Sequence, residues 1–219
     1  MASTFFGLTI AYSGLQAANT SLTITGHNVS NINTKGYTRQ QAGTQAADAL
    51  RTHTTYGAIG SGVVVTEISQ IRDSYYDVKY RNNMANYGQY SVKESYMGQI
   101  EDYLDEFTLN GYSQEYKNFF SAVNQLTITP GDTSAKNQLI NNAKSLADYF
   151  NTLTTNLRNV QADANNEIKD AVQQINSYAK NIAALNRQIN QIEANYGNAN
   201  DLRDKRNAMI DELSEIVNL

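Results

Sequence analysis

The chain has 219 residues, with no cysteine, no tryptophan and a single proline. Without cysteine there is no disulfide, no thiol nucleophile and no thiolate metal ligand, so packing alone must hold the fold together. One proline leaves room for long helices, and 41% hydrophobic residues with a mean hydropathy of -0.52 suit an all-α chain better than a sheet sandwich. No run of about 18 apolar residues is present to span a bilayer. Residues 1–30 lack the basic, apolar and small-residue order of a cleaved secretory signal, so an exported chain would leave by another route. A net charge of -4 and a pI near 5.2 exert no general pull toward phosphate backbones or anionic lipid, so neither nucleic acid nor membrane insertion is expected. No acid precedes Asp48, and Lys35 and Arg39 are the fixed side-chain charges before it, which marks the N-terminus as a distinct region.

In that region Leu8, Ala11, Leu15, Ala18, Leu22, Thr25, Val29 and Ile32 alternate in steps of three and four, forming a heptad seam. Periodicity alone fits either an amphipathic helix on a globular core or a strip for a partner helix. Composition favours the strip. Gly7, Gly14 and Gly26 each cost about 1 kcal/mol against Ala, and the β-branched threonines add smaller penalties, so the helix should order only where another surface buries its seam.

Residues 37–66 are broken by Gly43, Gly57, Gly60 and Gly62 and carry the β-branched run Val63, Val64, Val65 and Thr66, which reads as an extended connector with one short strand. Gly57-Ala58-Ile59-Gly60-Ser61-Gly62 lacks both the lysine of a phosphate loop and the order of a dinucleotide fingerprint, and reads as a turn. Residues 1–36, 37–66 and 67–219 are therefore expected to be an N-terminal helix, a connector and a rod of long helices.

The rod begins with a helical pattern near Ile68 that runs through Ile71, Tyr75, Val78, Tyr96, Ile100 and Leu104 to Phe107, with a polar middle. Asn110-Gly111 marks a turn, Ser113 is the expected N-cap of a helix carrying Tyr116, Phe119, Phe120, Val123 and Leu126, and Pro130-Gly131-Asp132 marks the next turn. Ala143, Phe150, Leu157, Ala164, Ala171, Tyr178, Leu185 and Ile192 then follow at seven-residue intervals. Leu139, Leu146, Leu153 and Val160 complete the seam, and Ile168, Ile175, Ile182 and Ile189 take over as a 3.6-residue helix drifts. Gly197 should stop this helix, and Leu202, Met209, Ile210, Leu213, Ile216 and Val217 pattern a final one over 200–219. The 15 tyrosines can serve as core filler or as subunit contacts. The fold class is an elongated bundle of long antiparallel helices with a short β connector.

Residues for catalysis are scarce. His27 and His53 have no neighbouring acids in sequence and read as solvated or capping groups, so no zinc cluster and no cofactor site is expected. Glu101 with Asp102, Asp105 with Glu106 and Asp211 with Glu212 read as solvated helix faces, and no G-x-S-x-G elbow occurs. An enzyme is not expected.

Two segments are more specific. Residues 27–40 hold Asn28, Asn31, Thr34, Gly36, Tyr37, Thr38, Arg39 and Gln40, a helix exit in which asparagines can cap, glycine frees the backbone and tyrosine anchors the turn. Asn200, Asp201, Leu202, Asp204, Arg206, Asp211, Glu212, Leu213 and Ser214 mark a second motif. The first resembles the signature of flagellar rod, hook and hook-associated proteins, and Thr38-Arg39-Gln40 with the second motif is similar to the N-terminal portion of the hook–filament junction branch. Asn207, Met209 and Ile210 depart from that branch's usual residues.

The resemblance implies a structural subunit exported without cleavage and located in the extracellular flagellum. It implies partners as well: further copies in a ring, the hook protein, the second junction protein on the filament side, and an export chaperone engaging a C-terminal region absent from these residues. It also implies that the N-terminal helix pairs with a C-terminal one. A secreted helical adhesin or binding module is the alternative, as is another rod or hook protein.

Overall fold

A computed structural model describes residues 5–50, 57–104 and 111–219. His53, Asp105, Glu106, Phe107 and Asn110 lie outside the described residues. The element order is α1 (Phe6–Ser30), β1 (Gln40–Ala46), β2 (Val63–Gln70), α2 (Ser74–Leu104), α3 (Tyr112–Ile128), α4 (Thr133–Glu193) and α5 (Asn200–Ile216). The fold is mainly α with one small sheet. It divides into two compact units, Met1–Ala85 with Ile175–Leu219, and Asn86–Gln174.

In the first unit, α1 keeps its hydroxyls folded back on the helix itself, where they are satisfied without adding to its stability. Thr9, Thr20, Ser21, Thr23, Thr25 and Ser30 each donate to the carbonyl four residues back, at 2.8–3.3 Å. Ala17 and Ile24 are its buried side chains. Between them and the N-terminus, Ser13 Oγ accepts a hydrogen bond from Val63 N at 3.2 Å. A Cβ at Gly62 would stand 2.2 Å from that hydroxyl, so only glycine allows β2 this approach.

The connector is a two-stranded antiparallel sheet, not a single strand. Its register runs from Gln40 opposite Gln70 to Ala46 opposite Val63, with an irregularity at Gly43/Thr44 that leaves Thr66 as the extra residue. The β-branched Val63–Thr66 run was the visible half of the pair. Gln40–Ala46 is polar and small, with no apolar alternation, and becomes a strand through pairing. Ile68 and Ile71 are consequently not helical, and α2 starts only at Ser74, where Asp73 Oδ1 accepts Tyr75 N at 2.9 Å as its cap.

α4 is a single helix of 61 residues, as the heptad spacing predicts. Asp132 caps it, its Oδ1 accepting Ser134 N at 2.8 Å. The helix ends with Tyr196 in the left-handed region at φ 62°, so the terminating conformation belongs to Tyr196 and not to Gly197. Gly197 is needed for space: a Cβ there would lie 2.8 Å from Ile192 Cγ2. Arg203 closes the α4–α5 elbow with paired bonds to Glu193 at 2.6 and 2.8 Å. Those bonds hold the Glu193 carboxyl below its usual range.

In the second unit the buried apolar residues are Ala122 of α3 and Ala135 and Val160 of α4. The N-cap of α3 is Gly111, and Ser113 lies inside the first turn. Tyr116 and Phe120 are half-exposed and stack at 4.5 Å in a chain of rings that continues through Tyr112 to Phe150. Tyr96 of α2 donates to Glu167 of α4, a bond that pushes its phenol up to about 12.

Candidate functional site

The last turn of α1 builds one half of the site. Asn31 caps the helix, both its backbone N and its Nδ2 donating to His27 O, at 3.1 and 3.0 Å. Thr34 N then bonds Asn31 O, Tyr37 N bonds Thr34 O, and Gly36 supplies the positive φ of 80° that reverses the chain. Asn28, one turn earlier, treats Gln40 as a strand partner. Its Nδ2 donates to Gln40 O at 2.9 Å, and its Oδ1 accepts Gln40 N at 2.9 Å and the Tyr37 hydroxyl at 2.8 Å. Since that hydroxyl's proton goes to Asn28, His27 Nδ1, 2.9 Å away, is the donor to Tyr37. Burial raises the Tyr37 phenol above its ordinary value, helped by the charges of Asp201 and Asp204.

The other half is α5, whose most buried side chains are mainly polar: Ser214 at 0% exposure, Asp204 at 6% and Asn200 at 8%, with apolar Leu213 also at 8%. Asp204 Oδ2 accepts Thr38 N at 2.9 Å, Asp201 Oδ1 accepts Gln40 Nε2 at 2.8 Å, and Glu212 Oε1 meets Lys35 Nζ at 3.3 Å. Asp201 Oδ2 is also 3.9 Å from His27 Nε2, so His27 does have an acidic neighbour. Gly36 lies on Ala208, where a Cβ on the glycine would stand 2.9 Å from the alanine Cβ. Asn200 reaches the sheet, donating to Ile68 O at 2.7 Å and accepting from Gln70 Nε2 at 3.0 Å. The two sequence motifs are thus the two jaws of one clamp.

Sequence reasoning missed the cations at the centre of the clamp. Arg72 Nε binds Asp77 at 2.7 Å and its Nη1 donates to Thr38 Oγ1 at 3.1 Å, while Asp204 and Asp211 stand 3.9 and 3.7 Å from the same guanidinium. Arg81 Nε binds Asp211 at 2.8 Å. Asp211 is therefore paired and only partly exposed, not a solvated face. The available clue was the acid excess of the second motif, which buried in a clamp requires cations from elsewhere. Other motif residues stand apart. Arg39 has an exposed side chain and contributes its carbonyl, which accepts Ile71 N at 2.9 Å. Arg206 turns to Asn207 and Asn186, and its burial lowers the guanidinium pKa.

Leu8, Leu15, Leu22 and Val29 of α1 are exposed, as is Ile32 just beyond its end, with Leu22 at 71% and Ile32 at 77%. Ala11 and Ala18 are exposed between them. Among the described residues no group of three His, Asp or Glu could hold a metal ion, and no helix is long and apolar enough to cross a membrane.

These features define a mainly helical protein in which a small sheet and a polar clamp hold out an apolar helix. Residues 97–219 match the flagellar hook-associated protein FlgK helical domain, and the chain belongs to that family. It is 32% identical over its whole length to flagellar hook-associated protein 1 of Bacillus subtilis, covering 44% of that protein. It is 33% identical to the protein of the same name from Salmonella typhimurium and 32% to that from Escherichia coli, each over 94% of the chain and 37% and 38% of those proteins. The chain thus spans less than half the length of these relatives.

Proposed function

We propose that this chain is the N-terminal portion of a flagellar structural subunit that joins hook to filament by helix–helix association. The observation that carries this reading is the exposed strip from Leu8 to Ile32, carried by a helix and its clamped exit. An apolar stripe of this length on a soluble chain marks a contact surface. Burying each of its larger side chains would contribute about 1–2 kcal/mol, enough in sum to drive assembly. The clamp sets the direction in which the helix leaves the rest of the unit. The expected companions are further copies of the chain, the hook protein and the protein on the filament side, with transit through the flagellar export route and an export chaperone that engages the protein's C-terminal region.

In the complete protein, Leu15→Asp with Leu22→Asp should abolish filament attachment and swimming while the protein is still exported. Cells carrying this pair of substitutions and swimming normally on attached filaments would remove the strip from assembly.

A further inference from the structure

Tyr196 combines two features that rarely coincide. Its backbone is left-handed at φ 62°, and its ring is fully exposed. The turn it occupies is closed by Tyr196 N to Glu193 O at 3.1 Å and Gly197 N to Ile192 O at 3.2 Å, a helix end whose left-handed position is normally glycine. A bulky residue there is strained, and this ring recovers nothing by packing within its own fold. Strain kept at an exposed aromatic is what a contact residue requires, because the compensating burial comes from another molecule.

The same unit carries a receptor of matching chemistry. Between the exit of α1 and α5 lies an open cleft of about 480 Å³. Gly36, Ala208 and Met209 line it with apolar surface, and Lys35 and Lys205 line it with positive charge beside the carboxylates of Asp201, Asp204 and Glu212. A phenol ring seated there would bury its faces on the apolar part, lie beneath an ammonium group, and direct its hydroxyl to a carboxylate.

We propose that Tyr196 of one copy of this chain inserts into this cleft on the next copy. The proposal rests on the reading of the chain as an assembling subunit and names a contact within that assembly. The Tyr196 ring is fully exposed, and Tyr196 is not among the residues that line the cleft. Knob and cleft are different patches, so the contact is heterologous, and such contacts propagate from copy to copy into a ring or helix instead of closing a pair.

Residues 1–219 carry no cysteine, so in the complete protein, with any cysteine beyond them changed to serine, a cysteine pair introduced here can report the contact. In the complete protein, expressed in its own flagellated cell, Tyr196→Cys with Lys205→Cys should give a ladder of covalent multimers on mild oxidation of isolated hook–filament structures. The ladder should exceed that of either single substitution by at least tenfold. No ladder, a ladder equally strong in the single variants, or linkage only to a different flagellar protein would overturn the proposal. A second pair of variants separates contact from folding. Tyr196→Gly should raise the melting temperature of the complete protein by relieving the backbone, yet lower the number of attached filaments several-fold. Tyr196→Phe should assemble at close to the normal level. Normal assembly by Tyr196→Gly would also overturn the proposal. If the ladder is missing while Leu15→Asp with Leu22→Asp still abolishes attachment, the knob contact alone is wrong. If those strip substitutions are also harmless, the functional reading falls with it.

Discussion

The exposed strip along α1 and the clamp at its exit are built on opposite rules. Along α1 and just past its end, from Leu8 to Ile32, the outward side chains are large, apolar and open to water. At its exit the side chains are polar, largely buried and paired, with Asp204, Gln40 and Asn28 each satisfying more than one neighbour or a backbone group. The difference separates two requirements. An apolar strip tolerates sliding and rotation because dispersion and hydration have no direction. Hydrogen bonds to fixed backbone atoms do not, so the clamp supplies the direction and the strip supplies the adhesion.

The most damaging way to break this contrast is to empty the clamp. Asp204→Ala removes the acceptor of Thr38 N–H and one of the three carboxylates around Arg72, and should cost about 3 kcal/mol, read as a lower denaturant midpoint of the purified chain. Gly36→Ala comes next. It forces a side chain into φ 80° and to within 2.9 Å of Ala208, a loss of about 1–2 kcal/mol that Ala208→Gly should partly restore. Equal stability of Gly36→Ala and the parent would show that the turn does not rest on α5.

A smaller effect sharpens the contrast through pH. The Arg203 bonds keep the folded Glu193 carboxyl below its unfolded value, so its contribution is complete above the ordinary carboxylate range and fades as the pH falls through the lower, folded value. Screening limits this partly exposed pair to about 0.5 kcal/mol. Comparing acid unfolding of the parent with Glu193→Gln should show a shallower slope for the variant at the acid end. The smallest effect belongs to the strip: Leu22→Asp should leave the stability of the purified chain within about 0.5 kcal/mol of the parent, since Leu22 is 71% exposed. A large loss would mean that the strip already packs within this chain.

Much of the helical scaffold was legible because long repeats average out local noise. Seven-residue spacing from Ala143 to Ile192 foretold α4, whereas the helical pattern read from Ile68 began too early, since β2 runs to Gln70 and α2 starts only after the Asp73 cap. The sheet was half legible. Val63–Thr66 carries β-branched side chains, whereas Gln40–Ala46 is a strand only through its partner. Both jaws of the clamp were visible as motifs, but their contact was not, because nothing in the spacing of residues 27–40 and 200–214 indicates that they meet. Arg72 and Arg81 were hidden for the same reason, being isolated cations whose role depends on carboxylates more than a hundred positions away. Tyr196 was passed over in favour of Gly197, since composition cannot say which of two neighbours takes the left-handed conformation.

The Asn28 amide has a mechanical consequence. By offering Gln40 both a donor and an acceptor, it acts as an extra peptide group stitched onto the first residue of β1. The final turn of α1 and the start of the hairpin are thereby riveted into one rigid corner, and a pull or twist applied to the helix arrives in the strands without a slack joint to absorb it.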